Sequence, residues 1–324
     1  GEIEQSSRRL QDDLARFVGE HEVDVLMPQN ASAIPMQVPL GVAIARYIRQ
    51  TGMPALAHHH DFGWERKRFW PNAVDDLLEE AFPPRAPSCG HLVINSLAKV
   101  ELSRRRGVEA HLLPNIMDFD TSPDEGEPAR FLAAAGLAPS DIVLLQPTRM
   151  VPRKGIEDTL ELARRLRNPA VKVVVTHPEP DEGNQYVEEL AATADGLDVD
   201  FRVVPVGPGT GIDLGDAYAA ANLVTYPSRL EGFGNALLEA FYYRRPLLVN
   251  RYPVYTADIR PYGVRAIEMD GDITDQIVDA AANWLSDPRE WADAVETNYE
   301  LGRRYFSYGV AAKVLDAALA NVAR

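Results

Sequence analysis

Short apolar runs alternate with helical segments along most of this chain, and that alternation restricts it to parallel α/β sheets. In the first part, Val23–Met27, Ala55–His58, His91–Asn95 and His111–Leu113 read as strands. Leu10, Leu14, Phe17 and Val18 share one helical stripe, Leu40–Arg49 forms a second helix, and a third runs through Arg106. The pattern restarts at Ile142–Leu145. It continues as helix Ile156–Arg167, strand Val171–Thr176, helix Gln185–Ala194, strand Phe201–Val206, a helix near Asp216, strand Leu223–Tyr226, a helix from Asn235 and strand Pro246–Asn250. Between the two series lies Thr121–Pro128, acidic, with two prolines and a glycine, which reads as a linker. The expectation is two Rossmann-like domains facing a cleft, at residues 1–125 and 126–300. A helical tail runs from Leu285 to Arg324, with Val310, Val314, Leu315, Ala318 and Leu319 along one face.

Composition narrows the partners. At 324 residues and 46% hydrophobic, each domain can bury a core of its own. A net charge of −15 argues against a nucleic-acid partner, which usually needs a basic face. Cys89 is the only cysteine, so neither an internal disulfide nor a cysteine zinc site is available. No apolar run approaches the roughly 18 residues of a membrane span, and no signal peptide is visible. These features point to a cytoplasmic protein acting on small molecules, with its oligomeric state open.

The most specific segment is Pro227-Ser228-Arg229-Leu230-Glu231-Gly232-Phe233-Gly234-Asn235-Ala236-Leu237-Leu238-Glu239-Ala240. It follows a strand and opens a helix, the place where open α/β sheets bind ligands. Gly232 and Gly234 let a ligand approach the backbone. The amides of Gly234, Asn235, Ala236 and Leu237 lie on the helix's first turn, where an anionic phosphate is favoured. Glu231 in the loop and Glu239 two turns into the helix flank a diphosphate from opposite ends. Each ionised carboxylate only accepts hydrogen bonds, which suits a hydroxyl-rich ligand. Taken alone, a Glu pair at this spacing also fits a capped loop, and the whole string is what carries the signal. Arg149 and Lys154 stand where the first strand of the second domain gives way to a helix, where two basic residues taken alone read as solvated surface.

Other motifs are weaker. His58, His59 and His60 are adjacent on a strand end and point to alternating faces, so they cannot converge on one metal ion. Asp118-Phe119-Asp120 is an acidic triplet of a kind common in a chain with 48 Asp and Glu. Gly207–Gly211 reads as a plain turn, since no G-K-[ST] follows. Asn95 reads as a helix cap.

The Glu231–Glu239 string resembles the E-x7-E signature of family 4 glycosyltransferases. The segment Gln146–Gly155 is similar to that family's G-R-x-x-x-x-K-G element, with Thr148 where the glycine usually stands. Pro114–Asp118 resembles its P-N-G-V-D element, with Ile116 in place of glycine. The resemblance covers nearly the whole chain from about Asp24. The strings His58–Arg66 and Glu231–Tyr255 resemble a subgroup near mannosylglucosylglycerate synthases and sucrose-phosphate synthases. The resemblance implies a GT-B fold in which residues 301–324 cross back to the first domain. It implies retaining transfer of a hexose from a UDP- or GDP-hexose to a small polar acceptor, with no further cofactor and no metal.

By motif position, Glu231 contacts the donor hexose and Glu239 the ribose, and Gly232, Phe233, Gly234, Asn235, Ala236 and Leu237 line the donor. Arg149 and Lys154 neutralise the diphosphate. His60 faces the donor sugar, and Asp61 and Arg66 line the acceptor side. The family's opening strand and glycine-rich loop have no counterpart before Asp24, so the first domain is expected to lack its first strands. A nucleotide-sugar epimerase and a non-catalytic nucleotide-sugar binding protein are the alternatives.

Overall fold

The computed structural model describes residues 1–124, 126–177 and 185–322, and the chain divides into two compact units. The first comprises Gly1–Asn115 together with the residues from Gly309 onward. The second runs from Ile116 to Tyr308. The division thus falls before the acidic stretch expected to join the domains. Of that stretch, Glu125 lies outside the described residues. The remainder is tied into the second unit, because the Glu127 amide donates to Asp216 Oδ1 at 2.6 Å. Ala323 and Arg324, at the end of the expected tail, also lie outside the described residues.

The first unit opens with α1 (Glu2–Glu20) and α2 (Val38–Thr51), then β1 (Ala55–His59), α3 (Asp75–Ala81), β2 (Cys89–Val93), α4 (Ser96–Arg106) and β3 (His111–Leu112). The three strands are parallel in the order β1-β2-β3. Val42 and Ala45 of α2 pack on Leu78, Ala81 and Phe82, while Ile44 and Ile48 pack on Ala55, Ala57 and Cys89. Asn95 caps α4, its side chain accepting the Ala98 amide at 2.7 Å.

The expected strand at Val23–Met27 is reduced to two isolated parallel bridges, Leu26 with Ala55 and Gln29 with His58. The hydrogen bonds explain the interruption. The Leu26 amide donates to Pro54, Leu56 to Leu26, His58 to Pro28, and Asn30 to His58. The one rung missing from this parallel ladder would need an N–H at residue 28, which proline lacks.

The second unit contains α5 (Pro128–Ala135), β4 (Ile142–Arg149), α6 (Ile156–Leu166), β5 (Val171–His177), α7 (Gln185–Gly196), β6 (Asp200–Val203), α8 (Leu214–Ala220), β7 (Leu223–Tyr226), α9 (Asn235–Tyr242), β8 (Leu247–Asn250) and β9 (Ile267–Met269). α10 (Asp275–Ser286) and α11 (Arg289–Tyr305) follow, and α12 (Tyr308–Val322) closes the described chain. The six strands are all parallel, ordered β6-β5-β4-β7-β8-β9. β7 and β8 are buried at every position, which is why they read as unbroken apolar runs rather than alternating ones. The core joins Leu144, Val173, Val175 and Leu223 of the sheet to Ile156, Leu160 and Ala163 of α6. The three-residue β9 was not expected from the sequence. The helical tail is divided into separate helices, with Pro288 standing before α11 and Ser307 before α12. α12 belongs to the first unit from Gly309 on, where the side chain of Val322 packs on Gly90 and Asn321 bonds His111 at 3.1 Å.

Candidate functional site

The strand order of the second unit fixes where a site can form. Counted within that unit, the strands lie 3-2-1-4-5-6, so β4 and β7 are central neighbours from which the chain departs to opposite sides. The carboxyl ends at such a switch point leave a crevice that binds ligands in open α/β sheets. The loops that leave those two ends are 150–155 and 227–234, the two segments singled out in the sequence. They are stitched together. The Arg229 amide donates to the Arg153 carbonyl at 2.9 Å. Gly155, at φ 63°, lies so close to Pro227 that a Cβ there would sit 2.8 Å from its carbonyl oxygen.

Glu231 is the centre of this contact. Lys154 Nζ donates to its Oε1 at 2.6 Å and Arg153 Nη1 to its Oε2 at 3.1 Å. Burial alone would raise the Glu231 carboxyl, but Lys154 and Arg153 outweigh it and hold the group below the usual carboxylate range. Burial lowers the Lys154 ammonium, Glu231 opposes that, and the charges of Arg153 and Arg149 reinforce it. Lys154 also lies over the Tyr226 ring, 5.3 Å from its centroid. Its backbone is fixed by Gln146, whose Nε2 donates to the Lys154 carbonyl at 2.9 Å, while the Thr159 hydroxyl holds Gln146 Oε1 at 2.7 Å. Arg149 ends β4 on the exposed side, beyond a register shift against β5 between Gln146 and Arg149. Two cations, Lys154 and Arg153, therefore hold one carboxylate, while the charge of Arg149 acts on Lys154.

Gly234 precedes α9 with φ 124°, and a Cβ there would sit 2.4 Å from the Tyr252 hydroxyl oxygen. Tyr252 donates that hydroxyl to the Phe233 carbonyl at 2.6 Å. The Phe233 ring is buried and meets Phe306 edge-on, with centroids 5.4 Å apart. Gly232 and Asn235 are exposed, whereas the Ala236 and Leu237 side chains are buried. The Leu237 amide donates to the Gly234 carbonyl at 3.2 Å, so it is already committed within the first turn. The Leu237 side chain is thus a core group that supports the turn. Two turns on, the Tyr218 hydroxyl donates to Glu239 Oε2 at 2.8 Å. Burial raises the Glu239 carboxyl, and Tyr218 partly offsets this.

The candidate residues of the first unit lie at the end of β1 and in the loop after it. His58 and His60 lie on one face, with ring centroids 4.5 Å apart. His59 points to the other face, where its Nε2 meets His91 Nδ1 at 2.9 Å in the buried interior. The alternation expected along the strand is thus present. Among the described residues, no group of three or more His, Cys, Asp and Glu side chains is placed to hold a metal ion. His60 is exposed, and its amide donates to Asn30 Oδ1 at 2.9 Å. Asn30 Nδ2 in turn donates to Asp61 at 2.8 Å, and Arg66 pairs with Asp61.

Of the remaining motifs, Asp118 accepts the Thr121 hydroxyl at 2.8 Å and Phe119 is buried, so the acidic triplet forms a turn. Gly207–Gly211 is likewise closed on itself by the Gly207 amide donating to Ile212 at 2.9 Å. Arg153, Tyr218 and Tyr252 had no assigned role in the sequence reading. Their partners lie 78, 21 and 19 residues away, beyond any local pattern.

Comparison with known proteins gives the chain's family and fold. Residues 130–301 match the family described as "Glycosyl transferases group 1". The mannosylglucosylglycerate synthase of Thermotoga maritima is 32% identical over 320 residues, covering 88% of this chain and 74% of that protein. The enzyme of the same name from Petrotoga mobilis is 32% identical over 278 residues, covering 76% of this chain and 64% of that protein. Among solved structures, Anabaena Alr3699/HepE in complex with UDP superposes with a TM-score of 0.72 at 15% identity, over 95% of this chain and 81% of that one. Among the described residues, no helix is long and apolar enough to cross a membrane. The chain belongs to the group 1 glycosyl transferases, with the GT-B fold, and is an enzyme of the hexosyltransferase type.

Proposed function

We propose that the chain moves a hexose from a UDP- or GDP-hexose to a hydroxyl of a small polar acceptor, retaining the configuration of the anomeric carbon. The observation that carries this is the pair Arg153 and Lys154 on Glu231 at the β4–β7 switch point, with the charge of Arg149 acting on Lys154. A departing nucleoside diphosphate needs cationic stabilisation, and this is where the chain concentrates it. The UDP held by the Anabaena structure fits such a donor, and relatives named for a sugar-bearing glycerate fit a small polar acceptor.

In this reading Arg149 and Lys154 hold the diphosphate and the backbone from Gly232 to Ala236 cradles it. Glu231 accepts hydroxyls of the hexose, and Glu239 those of the ribose. His60 faces the donor sugar, with Asp61 and Arg66 on the acceptor side. The bond from the anomeric carbon to the diphosphate oxygen breaks, and the acceptor oxygen bonds that carbon on the same face. The acceptor proton passes to the departing diphosphate, so no protein nucleophile takes part. Positioning and electrostatics supply the rate. A carboxylate pinned by two cations is a poor proton donor, which favours transfer over epimerisation.

The test is to incubate the protein with UDP-glucose or GDP-mannose and a panel of small polyols and sugar acids, and to read the product's anomeric configuration by NMR. A product of retained configuration is expected. A donor epimerised without acceptor consumption, or a nucleotide bound with no turnover, overturns the proposal.

A further inference from the structure

The loop that carries Glu231 contains two glycines, yet its backbone is pinned at three carbonyls by side chains from neighbouring segments. Asn250 Nδ2 donates to the Ser228 carbonyl at 3.1 Å, Arg153 Nη1 to the Leu230 carbonyl at 3.1 Å, and the Tyr252 hydroxyl to the Phe233 carbonyl at 2.6 Å. In a trans peptide the N–H points opposite to the C=O. Drawing the Leu230 carbonyl onto Arg153 turns the Glu231 amide away from that guanidinium. Drawing the Phe233 carbonyl onto Tyr252 turns the Gly234 amide away from that phenol.

Arg153 does two things with one nitrogen, since Nη1 reaches both the Leu230 carbonyl and Glu231 Oε2. It therefore fixes the backbone and the carboxylate of the same segment together. Tyr252 fixes the other end, where Gly234 leaves no room for a side chain against the phenol oxygen.

We infer that Arg153 and Tyr252 are positioning residues that preset the peptide planes at Glu231 and Gly234 for the diphosphate-hexose end of the donor, an inference that rests on the donor reading above. A loop held in its binding geometry spends less of its interaction energy on ordering when the ligand arrives. The nucleoside end, assigned to Glu239, does not depend on these two clamps.

The experiment is calorimetry with UDP and GDP and with the matching monophosphates UMP and GMP. Tyr252→Phe keeps the ring that meets Tyr226 edge-on, with centroids 6.0 Å apart, and removes only the hydroxyl. Arg153→Lys keeps the charge but replaces the planar guanidinium with a shorter, freely rotating ammonium, and serves as the second variant if the first folds poorly. Each is expected to weaken diphosphate binding by about tenfold, with monophosphate binding unchanged within about twofold. Equal losses for both nucleotides, as a merely structural role would give, or no loss for either, overturn the inference. Wild-type protein that binds none of the four overturns the donor reading itself, which separates the two failures.

Discussion

Beyond β4 and β7 the polar groups are charged and clasped, whereas beyond β1 the interior is lined with neutral imidazoles. Glu231 has a cation on each oxygen, and its loop is tied down at three carbonyls. His59 and His91 instead share one contact in the core, and burial pushes both down, His91 to about 4. Burial likewise brings His58 to about 4. Both regions lie at the carboxyl ends of parallel strands, so topology alone does not set their chemistry. In the reading proposed above, the second unit gathers its charge for an anionic donor. The first unit buries the His59–His91 pair and sets exposed Arg66 against the half-buried carboxylate of Asp61.

The strongest way to break this contrast is Lys154→Ala. It removes a leaving-group cation and leaves Glu231 with Arg153 alone, so kcat should fall by about 10²–10³-fold. Steady-state kinetics within a few-fold of wild type would mean the cluster is structural.

The histidines give a second, smaller effect, on stability. Their values in the folded protein lie below the unfolded value of about 6.5, so the unfolded chain binds more protons as pH falls. Stability is therefore fully present above pH 6.5 and is lost on acidification toward pH 4. His91 alone should account for about 2 kcal/mol by pH 5. Urea midpoints measured from pH 7.5 to 5 check this, and a flat profile would remove the neutral core from the comparison.

Tyr218→Phe should have the smallest effect. Losing its bond to Glu239 should cost about 1 kcal/mol, read as a several-fold weaker nucleotide affinity with kcat little changed. An unchanged affinity would detach Glu239 from the ribose role.

Much of the fold was legible because β4, β5, β7 and β8 are apolar runs and their helices carry clear stripes. Pro28 marks the limit of such reading, since the apolar run around it is real but one absent proton breaks its ladder. β9 was missed because three residues, Ile267–Met269, carry too little periodicity to register. Glu231, Glu239, Arg149 and Lys154 stand out in the sequence because the chain presents them as a contiguous string or at fixed spacing. The bond from the Leu237 amide back to the Gly234 carbonyl is visible only in the folded turn. Arg153 and Tyr252 act across the sheet top, and nothing in their own sequence surroundings announces a partner in another loop.

Gly234 and Tyr252 carry a consequence for how such sequences can drift. Any side chain at 234 collides with the phenol oxygen, and the backbone there also disfavours one. Losing the hydroxyl at 252 would remove that collision, yet the strained φ and the Tyr226 ring 3.2 Å away would remain. That loss gives up the grip on Phe233 before anything is gained. The two positions form a pair in which either first step is costly, and lineages that keep the loop's task should rarely be seen between the two states.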